Sequence, residues 1–265
     1  MAADKPKPTW PEDYVVPEVW APSEMGGTWA AVNKPTAGAR FEEALPKGDK
    51  DIQLYSLATP NGQKVGILLE ELGIPYDAHV TPIMGAKMMQ FSSGFVDINP
   101  NSKIPAMVDH SQSPPLRVFE SGNMLLYLAE KHGKFLPKDL VGRTECLNWL
   151  FWQMATAPFI GGGFGHFYKY GPFHIQYCID RFTMEVKRQL DVLDKQLSGR
   201  DFVCGSELTI ADFAIFPWVH AHKQFYNSEK FVQIQTYENV CAWMARLEAR
   251  EAVQRGMAVT PFPKS

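Results

Sequence analysis

Residues Asp51–Leu72, DIQLYSLATPNGQKVGILLEEL, decide the fold. Ile52, Leu54, Tyr55 and Leu57 make a short apolar run suited to a buried strand, ATPNG follows, and Val65, Leu68, Leu69 and Leu72 recur at helical spacing. The pattern predicts strand, tight turn, helix. Thr59 or Asn61 serves as the helix cap, and Pro60 suits the first turn because its missing N–H has no partner there. Gly62 is expected to let a ligand approach the backbone. A helix N-terminus at a strand end is an anion site. The loop lacks the glycines and Lys-Ser/Thr of a phosphate-binding loop, so a thiolate suits it better than a phosphate.

Working outward, YDAHVTPI (Tyr76–Ile83) alternates like a second strand, parallel to the first through a right-handed crossover. GAKMMQFSSGFVDINPN carries turn signals and predicts an irregular insertion or short helix. Ile104–His110 and Leu116–Glu120 read as a hairpin, and Ser121–His132 as a helix capped by Ser121 and stopped at Gly133. From Arg143 onward the periodicity is helical: Arg143–Ala157, His174–Leu197, Thr209–His220 and Tyr237–Arg250. Thr209 and Asp212 form a structural capping signal. Between the first two of these helices, Ala157–Pro172 combines glycines and aromatics. It either covers a pocket or gives glycine clearance for close helix packing.

The 265 residues, 45% hydrophobic and 21% charged, are those of an ordinary globular protein with two domains. A formal charge of −3 gives no basic patch for nucleic acid or an anionic membrane. No apolar run is long enough to span a bilayer and the start lacks a signal-peptide core, so the expected location is cytoplasmic. Residues 1–47 are an extended proline-rich arm whose Trp10, Trp20 and Trp29 are expected to lie on the chain's own surface or on a partner subunit. Cys146, Cys178, Cys204 and Cys241 form no CxxC and read as small buried hydrophobes. His220 and His222 fall on different faces of a helix, and no metal site is signalled.

Two further places are open to a double reading. Ile104–Pro105 is either an ordinary trans bond at a strand start or a cis bond that frees the Ile104 backbone for an extended peptide ligand. Glu120-Ser121 is either a strand end with a cap or a second helix N-terminus ready for a ligand carboxylate.

The order β-α-β-α-β-β-α followed by helices, with TPNGQK, NPNSKIPA and ES in sequence, resembles the glutathione transferase superfamily. LYSLATPNGQKV, QFSSGFV, FESGNMLLYLAEK, NWLFWQ, GGGFGHFY and RFTMEVKRQLDVLDKQL are similar to its nu-class, YghU-like branch of glutathione-dependent disulfide-bond oxidoreductases. The resemblance implies a thioredoxin-like glutathione-binding domain over 48–135, a linker over 136–142 and an all-α domain over 143–265. It also implies two glutathiones in one site as co-substrates. One lies along Ile104 and Pro105, its γ-glutamyl end at Glu120 and Ser121 and its sulfur near the catalytic Thr59 and Asn61. Asn33, Gln90, Lys103 and Arg181 match the family's other contacts. Asn33 also reads as a plain turn residue before Lys34-Pro35. No Tyr, Ser or Cys stands as a sulfur partner at the start of the first helix. The implied activity is disulfide reduction with weak transferase or peroxidase side activity, in a homodimer acting on small disulfides or electrophiles. Ordinary conjugation of electrophiles is the alternative. A regulatory or scaffold role is a third, although residues 1–47 lack the Asn/Gln-rich composition expected for it.

Overall fold

The computed structural model describes residues 15–21, 29 and 32–263. Strand β1 (Ile52–Ser56) is buried along its whole length because it is paired on both sides. It runs parallel to β2 (Tyr76–Val80), with Ile52 opposite Tyr76, and antiparallel to β3 (Ala106–Asp109), with Ile52 opposite Asp109. β4 (Leu116–Phe119) extends the sheet antiparallel to β3, giving the order β2-β1-β3-β4. Side chains alternate across β1 as a pleated strand requires. Ile52 and Leu54 join the main core with helices α1 (Pro60–Leu72) and α3 (Ser121–His132), and Tyr55 packs on the other face with Phe95 from α2 (Ser93–Ile98). The insertion before β3 thus contains a short helix.

The remaining helices are α4 (Leu140–Pro158), α5 (Gln176–Leu197), α6 (Ile210–Ala221), α7 (Glu229–Val232), α8 (Glu238–Glu248) and α9 (Glu251–Met257). This is the expected architecture, a thioredoxin-like sheet unit followed by an all-helical one. Details differ from the sequence reading. α4 begins at Leu140, inside the expected linker, and the expected Tyr237–Arg250 helix ends at Glu248, with α9 following it. Phe159–Tyr170 is not a loop; it continues α4 as wide π-helical turns. Trp29 meets Tyr170 edge-on at 6.0 Å between ring centres, whereas Trp20 is 59% exposed and Trp10 lies outside the described residues.

The capping signal at α6 is structural as expected. Asp212 Oδ2 accepts from Thr209 N at 2.9 Å, and its Oδ1 accepts from Val203 N and Trp243 Nε1, each at 2.9 Å. These bonds to the buried carboxylate offset its loss of water. Cys146 is buried beside Cys204 near the same helix start, and the other three cysteines are half-buried. His220 faces Glu248, while His222 is buried against Ser228, on separate faces as the spacing required.

α1 packs against α3, α6 and α9 and shares the main core with β1. The approach of α9 is close because Gly66 and Gly256 face each other; a Cβ on Gly256 would stand 2.5 Å from Ile67 N. Backbone on backbone has no room to give, so Gly256→Ala is expected to cost about 1–3 kcal/mol through overpacking. A thermal melt should show Tm lower by several degrees.

Candidate functional site

The site is assembled where the N-termini of α1 and α3 open toward the helical domain. Thr59, with extended backbone at φ −77° and ψ 166°, is the cap of α1, and its Oγ1 accepts from Gly62 N at 3.4 Å. Its hydroxyl proton is directed to Leu57 O, 3.5 Å away. The preceding Ala58 N donates to Thr260 O at 2.8 Å, tying the C-terminal segment to the turn. Asn61 is not the cap. Its Oδ1 accepts from the indole Nε1 of Trp218 on α6 at 2.9 Å. An indole can only donate, so the contact fixes which end of the amide faces Trp218 and turns the Nδ2 donors away. Gly62 serves packing rather than ligand approach: a Cβ there would lie 2.6 Å from Ser56 Oγ and closer still to Leu57 O.

At α3 the cap is Glu120, and Ser121 is the first helical residue, so the cap sits one position earlier than the sequence suggested. Glu120 has φ 66° and ψ 118°, a conformation that costs a non-glycine residue about 1–3 kcal/mol and marks a site held by its surroundings. Asn101 Nδ2 lies 3.5 Å from Glu120 Oε1. Beneath Ser121 the buried Lys64 donates to Ser121 Oγ at 3.3 Å and to Gln153 Oε1 of α4 at 2.7 Å. A cavity of about 560 Å³ lies here, lined by Asn61, Lys64, Glu120, Ser121, Phe151 and Met154 among others.

A basic edge lies beyond it. Lys103 Nζ donates to Asn33 Oδ1 at 2.9 Å, joining two residues 70 positions apart. Partial burial, with Arg40 beside it, holds the Lys103 amine below the ordinary lysine value. Arg40 stacks its guanidinium over Phe91 at 3.3 Å and shares a cavity of about 270 Å³ with Asn33 and Lys103. The Ile104–Pro105 bond is cis, and the β3 ladder begins only at Ala106, so Ile104 stands outside the sheet register. Ser113–Pro114 is also cis, which the sequence reading did not raise.

Like Ile104 and Pro105, two further expected residues line none of the site's cavities. Gln90 is buried and donates to Ile83 O at 3.2 Å. Arg181 is exposed on α5, with Glu185 in its field.

The largest of these three cavities was only half legible in the sequence. Trp29, Thr59, His166, Tyr170, Tyr226 and Phe262 are among the walls of a cavity of about 770 Å³ directly over the start of α1. Gly161 and Gly162 line it too, and a Cβ on Gly161 would be 2.5 Å from the Trp218 ring. Both readings of the glycine-aromatic stretch therefore hold: it walls a pocket, and its glycines give clearance to aromatic neighbours. That stretch is the one signal the sequence offers; Tyr226, Phe225 and Phe262 carry none. Burial and the neighbouring Tyr170 push the Tyr226 phenol up, so it is a neutral wall at physiological pH.

Chemically, the arrangement offers an oxygen-and-amide donor pair at a helix N-terminus, a carboxylate and hydroxyl at a second one, a basic edge, and an aromatic chamber. Among the described residues no group of His, Cys, Asp and Glu is placed to hold a metal ion, and none of the four cysteines lines these cavities.

Known proteins match this chain along most of its length. Residues 58–131 match the model of the glutathione S-transferase N-terminal domain, and residues 177–251 that of its C-terminal domain. The disulfide-bond oxidoreductase YghU of Escherichia coli is 53% identical over 255 residues, covering 93% of this chain and 88% of that protein. The crystal structure of glutathione transferase YghU from Streptococcus pneumoniae, complexed with glutathione, is 52% identical with a TM-score of 0.89, covering 93% of this chain and 97% of that one. A glutathione transferase family member from Pseudomonas fluorescens, solved with two glutathione bound, is 40% identical with a TM-score of 0.75, covering 78% of this chain and 92% of that one. By sequence along nearly its whole length and by fold, this chain belongs to the glutathione S-transferase family.

Proposed function

We propose that this chain is a glutathione-dependent disulfide-bond reductase that works with two glutathiones in one site. The observation that carries the reading is the pairing of Thr59 and Asn61 at the α1 N-terminus with an adjoining chamber of about 770 Å³. Sites of about 300–1,000 Å³ hold a drug-sized ligand, so the chamber has room for a second thiol or disulfide beyond the first glutathione. The first glutathione would lie with its γ-glutamyl end on Glu120 and Ser121, its cysteinyl backbone on Ile104 and its glycyl carboxylate toward Lys103, Asn33 and Arg40. Arg181, on the helix packed against the π-helical wall, is the proposed partner of a carboxylate on the second.

A free thiol has a pKa of about 8.5, and each tenfold gain in its acidity requires about 1.36 kcal/mol of added stabilisation of the thiolate. A helix terminus supplies only about 0.3–1 kcal/mol. Direct donors must supply the rest, and the Thr59 hydroxyl and the Asn61 amide stand where the chain bends into α1. A hydrogen bond to a charged group contributes about 1.5–3 kcal/mol. The thiolate then attacks one sulfur of a disulfide RSSR′, forming a mixed disulfide with glutathione while R′S⁻ leaves and takes a proton. The second glutathione thiolate attacks the glutathione sulfur of that mixed disulfide, releasing RS⁻ and glutathione disulfide. Two thiols are oxidised and one disulfide is reduced, with no protein cysteine or metal in the balance.

The names and bound ligands of the relatives support this reading. The aromatic walls favour a second one, conjugation of glutathione to apolar electrophiles through the same thiolate. We also propose a homodimer, since Leu140, Val141 and Phe151 of α4 and Tyr177 and Met184 of α5 leave apolar surface uncovered. Free cysteines and the reductive chemistry suit a cytoplasmic setting.

Steady-state turnover of a small mixed disulfide, run beside a chloro-nitrobenzene acceptor, tests the assignment. Fast reduction with slow conjugation is expected; the reverse pattern assigns ordinary transferase chemistry, and silence in both sinks the enzyme reading. Thr59→Ala is expected to lower kcat about tenfold to a hundredfold with a smaller change in KM, and unchanged turnover would remove Thr59 from the mechanism. Trp218→Phe should act in the same direction but more weakly, by about threefold to tenfold, since it frees the Asn61 amide to rotate. Thiolate absorbance against pH should then show the bound thiol titrating higher than in the parent protein.

A further inference from the structure

Lys64 projects from α1 and is fully enclosed, at 0% exposure. Its two contacts, Gln153 Oε1 and Ser121 Oγ, are both neutral acceptors. α4 faces it with Gln153, and α3 with Ser121 and, one residue earlier, Glu120. Among the described residues Glu120 is the carboxylate whose field reaches it, through space rather than by contact. Burial therefore pushes the amine well below the ordinary lysine value, with Glu120 opposing that shift. A lysine so placed is a cost to the fold unless an anion meets it.

The position of Lys64 shows where that anion would come from. Lys64 is among the residues around the cavity at the α3 N-terminus, and its amine lies behind Ser121, which lines the same cavity. When it donates to a lone pair of Ser121 Oγ, the hydroxyl proton of Ser121 is left for another acceptor. The one it has is Met154 Sδ at 3.9 Å, a weak partner that a carboxylate oxygen would displace. The N–H groups at the start of α3 favour the same negative charge.

We propose that Lys64 is the buried counter-charge for the carboxylate of an amino-acid end group docked on Ser121, held ready as a neutral amine and protonated as that carboxylate arrives. The proposal rests on the glutathione reading and adds to it a positioning residue on α1, the helix whose first turn faces the sulfur. Ligand binding is thereby coupled to uptake of a proton from solvent, and the ammonium holds the carboxylate through the Ser121 hydroxyl.

Titration calorimetry of the parent protein with S-methylglutathione, which binds without reacting, tests this in two buffers of different ionisation enthalpy at neutral pH. Proton uptake is expected, and it should vanish when the ligand's γ-glutamyl α-carboxylate is replaced by the carboxamide. Lys64→Met, checked for folding by circular dichroism, should abolish the uptake and weaken binding about tenfold or more. Lys64→Arg should bind with no uptake, because a guanidinium is already charged. Binding without uptake in the parent protein, or uptake that persists in Lys64→Met, overturns the proposal and leaves the glutathione reading standing. Absence of S-methylglutathione binding to the parent protein overturns both.

Discussion

Helix α1 is packed backbone on backbone at two of its glycines, and the rest of the molecule depends on that constraint. At its first turn, Gly62 lets it sit against the end of the central strand, where only a hydrogen atom fits against the Leu57 carbonyl. One turn further along the same face, Gly66 meets Gly256 of α9. Close-packed interiors transmit small displacements rather than absorb them. The first turn, carrying Thr59 and Asn61, is therefore positioned by contacts along the entire helix, and α6 adds the hydrogen bond from Trp218 that sets the Asn61 amide. The helical domain thus acts on the donor pair directly, through one indole, besides supplying the chamber wall.

Charge is distributed sparingly around this first turn. The groups proposed to meet the sulfur are a neutral hydroxyl and a neutral amide, while Glu120 and Lys64 line the cavity at the α3 N-terminus and Lys103 and Arg40 the basic edge. Neutral donors stabilise a thiolate without binding it as tightly as a cation would, which suits a sulfur that must leave its partners to attack. The ionisable ends give direction: an extended zwitterionic ligand with a second carboxylate has one favoured orientation.

Much of this is legible in sequence because the signals are local. Turn chemistry and capping place the starts of α1 and α6 within a residue or two, since each depends on neighbours three or four positions away. Where the meaning of a residue depends on a distant partner, local patterns say less. Gly62 reads as a gap for ligand, yet its reason is Leu57 and Ser56; Gly161 has no reason until Trp218 is seen beside it. Ser121 reads as a cap because serine favours that position, but the strained Glu120 occupies it and frees the Ser121 hydroxyl for the cavity. Lys64 looks like an ordinary helix lysine, and Arg40 like part of an arm, because burial and cation stacking are properties of the folded chain alone.

The backbone bond between Ala58 and Thr260 reaches further than its length suggests. It makes the segment after α9 part of the wall of the aromatic chamber, with Phe262 lining the chamber two residues later. Engineering at that end of the chain, whether an affinity tag, a fusion partner or a truncation after Val259, is therefore an edit to the chamber wall and, on the proposed function, to substrate selection. Two preparations differing only in such an appendage would, on that reading, be compared as two enzymes rather than one.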